Sequence, residues 1–468
     1  MTVTNQIPFS KRTIWDPIPS CEERMDLGKK QRLITPREAH AQSAPSKHRT
    51  DPIQILIESE KGRMENLVPI RYGRMLQSPF AFLRGSAAVM AEDLSNTPCS
   101  GIYVQCCGDC HLMNFGGYAT PERNQVFDIN DFDETLPAPF EWDVKRLAAS
   151  VIVAGRYKKF SDGDNRKAAF SAAKLYSQKI REYAMMRQLQ LWYNRLDEAS
   201  IIERFKLDRL FVKKVKNFTK MAKRHSHEFA YPGISEIKDG KRHILDNYPL
   251  IYHPAEIEKS IESGYAFFDE YYQSLSDDRK SLLRRYKIED IALKVVGVGS
   301  VGTRCLIGLF SASDEDAIVL QFKEGNSSVL EKYAGVSEYG NHGERIVNGQ
   351  RLMQTVSDIF LGWTKSQDGT EFYVRQLRDM KASANMDNLT PDLLLQYASL
   401  CGWALAKSHG KSGRSPEITG YIGKTDVFAK AVTDFAVQYA DRTEKDYSLL
   451  KKAAKEKRIK VTFENSVK

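Results

Sequence analysis

No stretch of the chain approaches the about eighteen uninterrupted apolar residues that a membrane span needs, and Met1 to Thr13 lacks the apolar core of a secretory leader. A membrane protein is therefore not expected, and the expected compartment is the cytoplasm. Cysteine is sparse, with seven scattered through 468 residues. An odd, dispersed set excludes a disulfide-knit scaffold and suits a reducing compartment. No basic segment is interleaved with aromatics, and 69 basic against 60 acidic residues make a mixed surface of net charge +9. Nucleic acid is not an expected partner, whereas small anions are. No internal repeat is present. The chain does have 42% hydrophobic and 28% charged residues, the make-up of an ordinary globular protein. Its length calls for roughly two to four domains or one two-lobed enzyme.

The densest chemistry lies in one stretch. Cys106-Cys107-Gly108-Asp109-Cys110-His111-Leu112-Met113-Asn114 is followed by Phe127-Asp128-Ile129-Asn130-Asp131-Phe132-Asp133-Glu134. Apolar runs that read as strands, Ile102 to Cys106 and Gln125 to Phe127, deliver the chain into each cluster. Carboxylates crowded together must be matched by cations, a metal or several donors, because an unmatched buried charge costs several kcal/mol. Magnesium is the simplest common partner.

Elsewhere the pattern is plainer. Residues 1–50 are polar, basic and proline-dotted and read as a mobile arm or surface strap. Ile53 to Met75 is helical in pattern with a break at Pro69, and another helix is expected at Phe80 to Leu94. Trp142 begins an amphipathic helix, and a mostly helical region continues to about Tyr286, including Arg166 to Leu196 and Ile257 to Leu275. The texture then changes. Ile291 to Val296 reads as a strand running into Gly297-Val298-Gly299-Ser300-Val301-Gly302, after which β-branched and aromatic residues predict a hairpin rather than a helix. A further strand, Ala317 to Lys323, a helix from about Glu344 to Val356, and the strand Glu371 to Leu377 follow. Leu393 to His409 is expected to be a helix, with His409 structural, and the basic end from Lys451 to Lys460 a solvated one.

A glycine-rich hairpin followed one strand later by an inward lysine is the arrangement with which protein kinases cover and contact the phosphates of ATP. Gly297, Gly299, Ser300 and Gly302 are thus nucleotide candidates, with Lys323 as the cation. The carboxylate partner of Lys323 is open between Glu344 and Glu331. Phosphoryl transfer also needs a base, for which Asp109 is the candidate, and metal ligands. Asn114, five residues on, and Asp131 fill that role, with Asp128 in reserve. The implied cofactors are ATP and Mg2+. The acceptor, a small molecule or a protein, is not specified.

The string Gly108-Asp109-Cys110-His111-Leu112-Met113-Asn114 resembles the Gly-Asp-x-His-x-x-Asn loop of the aminoglycoside phosphotransferase group, and Trp142 to Leu147 is similar to the aspartate-led helix after their metal site. From Arg71 to about Tyr447 the chain resembles the bacterial domain-of-unknown-function family 2252. The supporting strings are Gly-Asp-Cys-His-Leu-Met-Asn-Phe-Gly, Asn-Asp-Phe-Asp-Glu-Thr, Gly-Val-Gly-Ser-Val-Gly-Thr-Arg and Tyr-Val-Arg-Gln-Leu-Arg-Asp-Met-Lys. The resemblance implies an α+β, two-lobed, kinase-like fold. The glycine-rich region follows the catalytic loop here, so the fold would be circularly permuted.

That reading divides the chain into an arm (1–50), a catalytic segment (51–160), a helical insert (161–287), a small lobe (288–381) and C-terminal helices (382–468). The helix that normally precedes the catalytic loop is either Phe80 to Leu94 or Leu393 to His409. Two variants keep this fold and change the activity: transfer of AMP, or nucleotide binding without turnover. A zinc site at Cys106, Cys107, Cys110 and His111 and a glycosidase pair at Asp109 and Asp131 are further alternatives. The second leaves the glycine loop and Lys323 without a role.

Overall fold

The computed structural model describes residues 15–43, 49–223, 234–238, 241–248, 250–254, 261–295, 297–313, 316–377, 382–383 and 386–463. Parts of the expected arm, residues 257–260 of the helix expected at Ile257 to Leu275, and Val296 lie outside the described residues.

The architecture is mixed α+β. In chain order the strands are β1 (Tyr103–Cys106), β2 (Phe115–Ala119), β3 (Gln125–Ile129), β4 (Leu136–Pro139), β5 (Ser235–Lys238), β6 (Lys241–Ile244), β7 (Ile251–Tyr252), β8 (Lys287–Lys294), β9 (Cys305–Ser311), β10 (Ala317–Glu324), β11 (Gly362–Lys365), β12 (Glu371–Gln376) and β13 (Ala382–Ser383). They form four antiparallel sheets. One has six strands in the order β11-β12-β10-β9-β8-β7; the others are β13-β2-β3, β1-β4 and β5-β6.

Strand β10 shows why the large sheet sits where it does. Successive side chains point to opposite faces. Ile318, Leu320 and Phe322 pack with Phe310, Phe372, Val374 and Tyr271, the last from the helix Ile261–Gln273. Ala317 and Val319 join Ile307, Leu309 and Ala292 on the other face. That second face then changes character, because its next two residues are Gln321 and Lys323. Burying each large apolar side chain contributes about 1.5–3 kcal/mol, so the register is held by the apolar positions and the two polar ones are carried into place.

A second mass is built around the helix Phe140–Tyr157, with Asp162–Ala184, Pro391–His409 and Val427–Lys455 packed beside it. The first is buried along nearly its whole length. Pro391–His409 ties itself to the 106–115 segment through the Tyr397 hydroxyl, which donates to the carbonyls of Leu112 at 3.3 Å and Phe115 at 3.0 Å. No helix among the described residues is long and apolar enough to cross a membrane.

Three local expectations change. The N-terminal region is not wholly irregular, since Cys21–Ile34 is a helix opened by a reciprocal Ser20–Glu23 capping box. It carries no apolar stripe because it docks by other means. Gly28 lies so close to the Glu417 carbonyl that a Cβ would come within 1.9 Å, and buried Arg24 pairs with the Glu417 carboxylate at 2.7 Å. Phe80 to Leu94 is two helices, Pro79–Gly85 and Ala87–Ser95, broken at Ser86. Ile53 to Met75 is likewise two, Pro52–Glu58 and Val68–Met75, with Pro69 in the first turn of the second, where its missing N–H costs nothing.

Candidate active site

Strand β1 ends at Cys106 and the chain turns through Gly108. Its φ of +82° suits glycine, and a Cβ would come within 2.2 Å of the Glu134 carbonyl oxygen. The turn is fixed from below by Asp143, in the first turn of Phe140–Tyr157, whose carboxylate accepts the N–H groups of Cys107 at 2.8 Å and Gly108 at 3.1 Å. His409 Nε2 lies 3.2 Å from the same carboxylate, with Nδ1 2.9 Å from the Tyr176 hydroxyl, a buried and structural arrangement. One turn on, Arg146 donates from Nε to Asp109 Oδ1 at 2.5 Å and from Nη2 to the Leu83 carbonyl at 2.9 Å. The catalytic candidate is therefore aimed by a helix-borne guanidinium. Burial pushes the Asp109 carboxyl above its ordinary range, with Arg146 opposing.

Asn114 donates to the Asp109 carbonyl at 2.7 Å, and its own carbonyl accepts from Asn130 N–H at 2.8 Å. The two acidic segments are thereby stitched together, and Asp131 stands beside Asp109. From above comes the six-stranded sheet. Lys323 on β10 is in register with Tyr373 on β12, and both reach Asp133. The ammonium bonds to Asp133 Oδ2, and the phenol donates to Oδ1 at 2.8 Å. Ser300, in the glycine-rich turn, donates to Oδ2 at 3.0 Å. Burial works against ionisation at both Asp133 and Lys323, but their mutual attraction prevails, lowering the acid and, with Asp131, raising the base.

A cavity of about 540 Å³ separates the two halves. Asp109, Asn114, Asp131, Gly297, Gly299, Ser300 and Lys323 all line it. It shares Lys294 and Leu377 with a smaller cavity of about 240 Å³, lined by Ile234, Leu250, Ile251, Val319 and Asn247.

Four candidates stand elsewhere. Gly302 lies beyond the lining, its carbonyl accepting from Met64 N–H at 2.7 Å. Asp128 is sealed inside: the Lys407 ammonium, Thr355 N–H at 2.9 Å and Thr355 Oγ1 at 3.0 Å occupy its Oδ2, so it is no metal ligand in reserve. Neither Glu344 nor Glu331 is the partner of Lys323. Glu344 is in the first turn of the helix His342–Met353 and does not line the cavity, and Glu331 lies 3.8 Å from Arg345. Asp133 takes that place. The residues missed were Asp133, Arg146, Tyr373 and the arginines of residues 63–84. For Asp133 the alternation with Asp131 in the acidic run was a usable signal; for the arginines there was none.

The zinc alternative meets a similar difficulty. Ligand atoms of Cys107, Cys110 and Asp143 lie within 4.8 Å of one another, as do those of Cys106, Asp143 and His409. Asp143 is already engaged as described, and burial raises all three thiols, disfavouring the thiolate that zinc requires. His111 is not among these groups; its Nδ1 accepts from Met113 N–H at 3.2 Å.

No curated protein and no solved structure gives a match to the chain. A family model described as an uncharacterized protein conserved in bacteria (DUF2252) matches residues 63–453, a span that includes both cavity walls. With most of its length covered, the chain belongs to that family, domain of unknown function 2252.

Proposed function

We propose that the protein is an ATP- and magnesium-dependent phosphotransferase on a two-lobed, kinase-like fold whose halves follow in permuted order, acting on a hydroxyl of a small molecule or protein. One observation carries the reading: segments nearly two hundred residues apart meet at one cavity with a glycine-rich turn and a lysine on one side and an aspartate, an asparagine and a second aspartate on the other. Strand order adds support. The sequence hairpin β8-β9, then β10, a helix, and the pair β11-β12 gives the spatial order β8-β9-β10-β12-β11, a five-stranded antiparallel wall with the lysine on its central strand. The adjoining apolar cavity suits a nucleotide base, and the polar one its phosphates.

Magnesium takes oxygen ligands, and the Asp131 carboxylate with the Asn114 side-chain carbonyl is a donor set of that kind; bound there, the ion supplies positive charge against the phosphate oxygens. The protein's own groups do the rest. The Lys323 ammonium and the N–H groups of the glycine-rich turn face the phosphate chain. Asp109, held at Oδ1 by Arg146, turns Oδ2 toward the cavity and takes the proton of the acceptor hydroxyl as that oxygen bonds to the γ-phosphorus. The bond from phosphorus to the bridging oxygen breaks, and ADP leaves with its electron pair. The test is calorimetric titration with ATP, with and without magnesium. Binding that needs magnesium and is lost in Lys323→Ala and Asp131→Ala supports the assignment, and undiminished binding in both variants rejects it.

A further inference from the structure

The cavity wall beside Asp109 is built from arginine. Arg63, Arg71, Arg74 and Arg84 all line it, and none belongs to the glycine-rich turn or the acidic pair. Arg71 is only 2% exposed. Its Nη2 donates to Gly85 O at 3.0 Å and Ser59 Oγ at 3.2 Å, while Nε and Nη1 are buried and donate to nothing among the described residues. Arg84 Nε is in the same condition. Arg24 and Arg146, also buried, are matched by the carboxylates of Glu417 and Asp109, and half-buried Arg49 by Asp93 and Asp446. Buried Arg345 donates to the Asp133 and Asn326 carbonyls and has Glu331 3.8 Å from its Nε. Among the described residues no carboxylate pairs with Arg71 or Arg84. Burial, with repulsion from Arg63, lowers Arg71 to about 9. Desolvated N–H donors on a cation cost several kcal/mol when left unanswered. A fold that keeps them at a cavity wall has a place for an anion from outside.

The charges are also ordered. Arg84 feels Asp109 and then Asp131, whereas Lys323 feels Asp131 and Asp133. The Arg84 carbonyl lies under the glycine-rich turn, 3.3 Å from where a Cβ on Gly299 would stand, and that Cβ would be 4.0 Å from Asp109 Oδ2. Asp131 is thus central, with Lys323 on one side and Arg84 on the side of Asp109, where an acceptor hydroxyl would arrive; Arg71 is tied to the residue after Arg84 through the Gly85 carbonyl. Resting on the phosphotransferase reading, we infer that the acceptor is a small molecule already carrying a phosphate monoester, which Arg71 and Arg84 bind while Asp109 orients its hydroxyl. Three unanswered donor nitrogens from two helices suit the three terminal oxygens and near-double charge of such a group better than a single carboxylate.

The test titrates the full chain with inorganic phosphate, then acetate, by calorimetry, in wild type, Arg84→Gln, Arg71→Lys and Lys323→Ala, with thermal melts reporting the fold. Phosphate binding is expected in wild type, weakened about tenfold or more in Arg84→Gln, which corresponds to the loss of one charged hydrogen bond. Arg71→Lys, where it folds, is expected to follow; in Lys323→Ala, which removes the cation assigned to the nucleotide phosphates, the Arg84-dependent phosphate binding is expected to persist. Equal affinity in Arg84→Gln, loss in Lys323→Ala with competition by ADP, or acetate binding as tight as phosphate would each overturn the inference. The two proposals fail separately. Arg84-dependent phosphate binding in a protein indifferent to magnesium ATP keeps the subsite and rejects the kinase-like activity, and the opposite pattern rejects the subsite alone.

Discussion

Two lysine–aspartate pairs, both joining distant parts of the chain, have opposite surroundings. Lys407 and Asp128 are fully buried, and Thr355 and Ser408 complete the coordination of the carboxylate. Lys323 and Asp133 meet at the wall of a cavity, with a quarter of the aspartate side chain exposed and Asp131 within electrostatic reach of the same ammonium. The first pair has no partner left to take. The second can give up part of its hydrogen bonding to an incoming phosphate without leaving a charge stranded, because Tyr373 and Ser300 also hold Asp133. What distinguishes a structural ion pair from a working one is therefore whether solvent reaches it and whether a second anion stands nearby.

The largest effect expected from this contrast is in stability. Asp128→Ala leaves the Lys407 ammonium buried and alone, which should cost about 3–5 kcal/mol in denaturant unfolding, and Asp128→Leu with Lys407→Met should recover much of it. Lys323→Ala should reverse the pattern: a much smaller loss of stability, with affinity for magnesium ATP falling about 10- to 100-fold by calorimetry, as expected for a charged hydrogen bond. Similar unfolding losses from the two alanine variants would break the comparison.

Two pH effects sharpen it. Asp109 is raised by burial and, on the proposed reading, must be ionised to act, so turnover should fall as the pH drops through a value above the ordinary aspartate range; a rate profile flat down to about pH 4 would contradict this. The smallest effect is at Glu134, beside Asp133, which burial raises to about 7. The folded state then holds a proton that the unfolded state releases between about pH 4.5 and 7, so stability declines as pH rises through that window. Glu134→Gln should stabilise by about 1 kcal/mol at pH 8 and by almost nothing at pH 4. The full shift would give more, but part of this side chain faces solvent.

Much of this site could be read in the chain because its parts are local. Gly108, Asp109 and Asn114 sit in one turn, and the strand–glycine–strand pattern leading to Lys323 is periodic. The mixed α+β class was what the family resemblance implied. What could not be read depends on meetings at long range. The partner of Lys323 lies 190 positions earlier, so choosing between Glu344, Glu331 and Asp133 requires the placement of one sheet over a loop from the other half. Asp128 stood in reserve to Asp131 because both follow the apolar run Gln125 to Phe127, and it is Lys407, from a helix 279 positions later, that sets Asp128 apart. The Cys21–Ile34 helix escaped notice for a related reason: it docks through Gly28 and Arg24, and a stripe of apolar residues is what a periodicity search finds.

The central claim is that the cavity between the sheet and the acidic loops holds the phosphates of a nucleotide. The most direct measurement is the affinity of the full-length protein for ATP at saturating and zero magnesium, compared with Asp131→Ala, Lys323→Ala and, as the sealed-pair control, Lys407→Met. The account predicts magnesium-dependent binding in wild type and in folded Lys407→Met, and its loss in the other two. Binding indifferent to magnesium and undiminished by Asp131→Ala and Lys323→Ala would contradict it.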